Sequence, residues 1–112
     1  MAAAVGPDVM TRMFRAPHGF RGPLTSRAVA RLGYKTIGWS AGVFDSAQPG
    51  ADVIADRVCE SLSPGAIVIL HDADGWHPHA SRLQTAQALA RICATAREHG
   101  YAPTTLGAVL AA

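Results

Sequence analysis

The run Ala66-Ile67-Val68-Ile69-Leu70 constrains this chain more than any other stretch. Five apolar residues in a row, bounded by Ser63-Pro64-Gly65 before and Asp72-Ala73-Asp74-Gly75 after, read as a strand buried on both faces, as in parallel sheets. The run ends in His71 and Asp72. In parallel α/β architectures the C-terminal ends of strands are where loops hold polar groups over an apolar floor, so His71 stands where an active-site residue would. The pair also fits the start of an ordinary polar loop, and this stretch alone leaves both readings open.

The flanking segments supply a repeating order. Met10 to Arg15 reads as a first strand, stopped by Ala16-Pro17-His18-Gly19, where proline restrains the backbone and glycine permits a turn. A helix is expected from Leu24 to Leu32, with Thr25 or Ser26 as cap, Leu24, Ala28, Val29 and Leu32 on one face, and Gly33 as terminator. Tyr34 to Ser40 reads as a second strand opening into a loop that holds Asp45. A second helix spans Asp52 to Leu62, striped by Val53, Ile54, Val58 and Leu62. The longest helix runs from Arg82 to His99. Leu83, Ala86, Ala90 and Cys93 share its stripe with Leu89, Ile92 and Ala96, and His99 stands as a partner for the C-terminal dipole. Tyr101 to Leu106 reads as a last strand and Gly107 to Ala112 as a turn of helix, with residues 1–11 irregular. The order β-α-β-α-β-α-β implies an α/β fold of about four parallel strands with right-handed crossovers and flanking helices. Arg15, Asp45 and His71 each fall at or just past the end of a successive strand, so one sheet edge is expected to bring them together.

Composition narrows the class. A chain of 112 residues, 49% apolar and 16% charged, suits one compact domain. Its nine arginines and one lysine are dispersed and its net charge is only +2, which argues against a nucleic-acid or acidic-membrane surface. Apolar runs are strand-length, so no membrane span is expected. Met1 to Asp8 has neither the basic region nor the apolar core of a signal peptide, and the residues assign no cellular location. Cys59 and Cys93 lie on apolar helix faces and read as buried free thiols. The polar run His71, Asp72, Asp74, His77 and His79 contains metal-ligand residue types, but Gly75 and Pro78 make it a flexible loop, and no metal site is assigned there.

Several of these stretches, in order, resemble the polysaccharide deacetylases, the NodB-homology family or carbohydrate esterase family four. Phe14-Arg15-Ala16-Pro17-His18-Gly19 resembles the family's third motif, Trp39 to Asp45 its fourth and Ile67 to Asp72 its fifth, a match running from about Arg12 to Leu110. The resemblance implies that residues 12–112 form the C-terminal half of a deacetylase domain, a partial (β/α) barrel. The implied chemistry is hydrolysis of an acetyl group from a chitin-like or peptidoglycan glycan, with a divalent metal, usually zinc, polarising the carbonyl and activating water. It further implies that His71 protonates the leaving amine, Asp45 partners His71, and Arg15 orients the base aspartate. Pro17, His18, Trp39 and Ile69 would line the substrate site, His18 through its backbone N–H.

Two departures stand out. Gly42 and Ser46 occupy places where the family's fourth motif usually carries aspartate and tryptophan, which alters one wall of the groove. The family's base and metal-binding motifs precede the third motif, whereas the fourteen residues before Arg15 hold one acid, Asp8, and no histidine. The chain alone is therefore expected to bind no zinc tightly and to be inactive. The alternative is a non-catalytic remnant that binds sugar or another chain. Strand edges left uncovered in a half-barrel are expected to favour self-association.

Overall fold

The structure, a computed structural model, describes residues 11–73 and 75–111. The expected irregular start therefore falls almost wholly outside the described residues. The chain divides into two compact units, one ending at Gly38 and the other spanning Trp39–Leu110.

In the first unit, β1 (Met13–Phe14) pairs in parallel with β2 (Lys35–Thr36), Met13 opposite Lys35 and Phe14 opposite Thr36. The crossover is α1, Pro23–Arg31. It starts earlier than the Thr25 or Ser26 cap would place it: Gly22 is the N-cap and Pro23 takes the first turn. Proline suits that position because its missing N–H would have no helical partner there. Gly33 ends the helix as expected, at φ +73°, with its N–H on the Ala30 carbonyl and the Tyr34 N–H on Val29. The apolar face is a correction. Only Val29 is buried in α1, while Leu24 and Leu32 are 79% and 70% exposed. A two-stranded sheet is too narrow to cover a helix stripe of that length.

The second unit holds β3 (Ala41–Gly42) and β4 (Val68–Ile69), also parallel, Ala41 opposite Val68 and Gly42 opposite Ile69. The expected second strand over Tyr34 to Ser40 thus shrinks to β2, and β3 begins one residue past its expected end with a different partner. The Ser40 hydroxyl accepts from the Ile67 N–H at 2.9 Å, so part of this pairing runs through a side chain. The run Ala66–Leu70 is half-buried rather than buried on both faces. Among the described residues it pairs with one strand only, β3.

Helices α2 (Ala51–Ser61) and α3 (Leu83–Glu98) lie within a residue of their expected limits and pack on each other. Their core joins Val43, Ile54, Ala55, Val58, Ala88 and Ile92, with Cys59, Leu62, Val68 and Leu70 against it. The expected α3 stripe holds only in part: Ile92 and Ala96 are buried as expected, together with Thr85 and Ala88, whereas Leu83 and Leu89 are exposed. Apolar residues occur around most of α3, so periodicity supports two faces and the partner helix selects one. The small Ala88 lies in the core shared with α2. Cys59 and Cys93 are free but only half-buried. Gly100 terminates α3 at φ +76°, and the N–H of its C-cap His99 bonds the Thr95 carbonyl.

Among the described residues, Tyr101 to Thr105 forms no strand and leads into α4, Leu106–Ala111. Pro103 cannot donate to a ladder, and the Thr105 hydroxyl accepts from the Ala108 N–H, so this threonine caps a helix instead of extending a strand. No described helix is long and apolar enough to cross a membrane.

Ile54 and Val53 share the sequence stripe but differ in burial, at 0% and 37% exposure. Truncating Ile54 to alanine is expected to cost about 2–5 kcal/mol, and Val53→Ala well under about 1 kcal/mol, measured by urea unfolding.

Candidate active site

Asp45 is the only charged side chain among the largest fully buried side chains, 1% exposed at the start of a 3₁₀ turn over Asp45–Ala47. The turn is bracketed by two residues in the left-handed region, Phe44 (φ 55°) and Gln48 (φ 56°), a conformation that costs a non-glycine residue energy. Side chains of α2 and of the segment entering α3 offset that cost by holding the loop backbone. Arg57 donates to the Val43 carbonyl and Arg82 to the Ser46 carbonyl, each at 3.0 Å, and the Gly50 N–H donates to Gln84 Oε1 at 2.7 Å.

The carboxylate itself accepts three hydrogen bonds. His71 Nδ1 lies 2.8 Å from Oδ1, while Oδ2 takes the His71 backbone N–H and the Thr85 hydroxyl, both at 2.9 Å. Burial pushes the Asp45 pKa up, but the His71 ring, the His71 N–H, the Thr85 hydroxyl and the charge on His71 together bring it below the ordinary value of 3.8. An ionised Asp45 can only accept, so His71 carries its proton on Nδ1 and leaves Nε2 to exchange protons. The His71 side chain is 40% exposed. The pair is thus a buried anchor with an accessible imidazole.

Of the residues expected from sequence, Asp45 and His71 are brought together. Ile69 and Gly42 are opposite each other on β4 and β3, and the Trp39 indole lies over Gly42, where an added Cβ would stand 3.2 Å from Nε1. Arg15, Pro17 and His18 belong to the first unit. There Arg15 donates to the Gly38 carbonyl at 3.2 Å, and Pro17–Gly19 forms a 3₁₀ turn with His18 at φ 53°. Sequence reading missed Thr85, Arg57, Arg82 and Gln84. A threonine interrupting an apolar helix face was the one available signal, because a buried hydroxyl needs a partner.

No protein-family model matches the chain. It is 32% identical over 102 residues to a chitooligosaccharide deacetylase of Sinorhizobium fredii, covering 85% of this chain and 46% of that relative. It is also 32% identical over 100 residues to a peptidoglycan-N-acetylglucosamine deacetylase of Bacillus cereus, covering 88% and 45%. Among solved structures, a CE4 (carbohydrate esterase family 4) pseudoenzyme from Bacillus anthracis matches with a TM-score of 0.72 at 28% identity, over 89% of this chain and 32% of that one. Over about 85% of its length the chain is similar in sequence to chitooligosaccharide and peptidoglycan deacetylases, and in fold to carbohydrate esterase family 4. A family 4 carbohydrate esterase from Streptomyces lividans shares the fold, with a TM-score of 0.67 at 22% identity over 85% of this chain and 45% of that one. The chain spans about half the length of the curated relatives it matches.

The lowered Asp45 pKa implies a pH dependence of stability for this chain. A depressed carboxylate contributes stability that is fully present above 3.8, the ordinary value, and lost as pH falls through the lower folded value. Asp45→Asn is expected to cost about 1–3 kcal/mol at pH 7, with the gap to wild type narrowing below pH ~4 in urea titrations.

Proposed function

We propose that residues 12–112 are the C-terminal half of a glycan deacetylase domain, a partial (β/α) barrel, and that they carry the acid side of its site. The carrying observation is the Asp45–His71 pair, 2.8 Å apart with the carboxylate buried. In this reading, hydrolysis of an N-acetyl group breaks the C–N bond, and His71 Nε2 delivers the proton that the departing amine needs. Asp45, hydrogen-bonded to Nδ1, fixes the ring's orientation. Arg15 orients the base aspartate, while Pro17, His18, Trp39 and Ile69 border the substrate. The substrate class is an acetylated glucosamine polymer, chitin-like or peptidoglycan, supported by the names of the relatives.

Family 4 deacetylases are metal-dependent, so the donor set matters. Among the described residues, no group of three or more His, Cys, Asp or Glu side chains could hold a metal ion. The described residues do not fit a resident zinc. Among the described residues water activation and carbonyl polarisation then have no metal donor set to draw on, and we expect the chain to be inactive alone. A non-catalytic role in binding sugar or another chain is the second reading, favoured by the same missing donor set and by the likeness to a family 4 pseudoenzyme.

One experiment separates the two. The chain alone, with zinc and an N-acetylated chito-oligosaccharide, is expected to release no acetate and to show no tight zinc binding by calorimetry. Fused behind the base- and metal-bearing half of a family 4 relative, it is expected to deacetylate. His71→Ala should then lower turnover at least about a hundredfold while sparing zinc affinity. A fully active His71→Ala fusion would overturn the acid role, and zinc-dependent acetate release by the isolated chain would overturn its dependence on another half. Each two-stranded sheet leaves every strand one unpaired edge, so concentration-dependent self-association is expected in sedimentation.

A further inference from the structure

Two of the three hydrogen bonds on Asp45 come from one residue. The His71 N–H and Nδ1 both meet the carboxylate, so together they fix it to the main chain that follows β4. The third bond comes from a different element. Thr85, 7% exposed in the first turn of α3, donates its single hydroxyl proton to Oδ2 at 2.9 Å.

Packing does not account for that hydroxyl. Thr85 lies on the buried face that continues through Ala88, Ile92 and Ala96, where an isosteric valine would fill the same space without a polar group to satisfy. Nor is the hydroxyl spent on its own helix. A threonine inside a helix commonly bonds a carbonyl three or four residues back, whereas this hydroxyl is turned across a sequence separation of 40 residues onto Asp45. The first turn of α3 contains no acidic residue of its own, so Asp45 supplies from outside the negative charge that a helix N-terminus favours.

We propose that Thr85 is a positioning residue for His71: its hydroxyl ties one carboxylate oxygen of Asp45 to α3, leaving the other oxygen to hold the imidazole in a single orientation. The proposal rests on the reading of His71 as proton donor and adds to it the element that references the pair to the α2–α3 core. Other charged groups near Asp45 are engaged elsewhere. Arg57 of α2 bonds the Val43 carbonyl, Arg82 ahead of α3 bonds the Ser46 carbonyl, and Asp72 beside His71 is exposed. Changing Thr85 leaves all three in place.

The test uses the 112-residue chain, isotopically labelled, with Thr85→Val and Thr85→Ser. Two signals are followed by NMR: the pH at which the Asp45 carboxyl carbon titrates, and the solvent exchange of the His71 Nδ1–H. Thr85→Val is expected to move the Asp45 titration to higher pH and to speed Nδ1–H exchange about tenfold, the factor carried by roughly one hydrogen bond. Thr85→Ser, which keeps the hydroxyl, is expected to match wild type on both. A folded Thr85→Val chain with both signals unchanged overturns the proposal. So does a folded Thr85→Ser chain that moves as far as valine, because the methyl group rather than the hydroxyl would then be responsible. Should Thr85→Val fail to fold by circular dichroism, the serine variant decides alone: wild-type signals support the proposal and shifted ones overturn it. Failure of the acid role is a separate event. It would show as an active His71→Ala fusion alongside an Asp45 titration that still responds to Thr85.

Discussion

The buried carboxylate of Asp45 is the constraint on which the second unit depends. A charge removed from water is costly unless nearly every lone pair is satisfied, and here three donors reach a side chain that is 1% exposed. Those donors come from positions 26 and 40 residues away in sequence, so they exist only once β4 and α3 have docked. The loop bearing Asp45 therefore cannot choose its conformation independently. Its backbone runs through two left-handed residues and is held from outside by Arg57, Arg82 and Gln84, which spreads the local strain over two helices.

The helix pair is built to allow this. Ile54, Ala55 and Val58 of α2 meet Ala88 and Ile92 of α3, and the small alanines bring the axes close enough for Thr85, one turn before Ala88, to reach the loop. Larger residues at the same places would bury more surface while pushing the helix end away from the carboxylate. On the surface the exposed Arg91 side chain joins Asp56, linking the helices where solvent screening leaves such pairs little weight. The apolar core and the buried polar triad carry the architecture.

The parts legible in the sequence were those governed by local chemistry. Gly33 and Gly100 marked helix ends because a left-handed residue is needed there, and α2 and α3 followed from helical periodicity to within a residue. Asp45 and His71 were legible because polar residues at the ends of apolar strands have few structural uses. What failed depended on tertiary partners. The buried face of α3 was set by α2 rather than by its own pattern, Leu24 and Leu32 stayed exposed because β1 and β2 are too short to cover them, and Tyr101 to Thr105 had β-forming residues but no ladder. Thr85 was hidden because a threonine's hydroxyl reports its partner only in three dimensions.

The closure of the Asp45 network within one unit bears on how such a chain should be interpreted. Asp45, His71 and Thr85 satisfy each other, and their supports on α2 and around the start of α3 lie in the same unit. The triad therefore folds with the α2–α3 core and needs no metal, base or substrate to justify its geometry. A metal centre is different, because its donors are mutually repulsive or unsatisfied until the ion arrives, and they are retained only where the ion is used. The proton-donor role proposed for His71 would thus be coupled to folding stability, whereas a role that needs metal donors would not. In a family with both active members and a pseudoenzyme among its structures, an intact aspartate–histidine pair reports a preserved core. Activity has to be judged from the donors that stability does not protect.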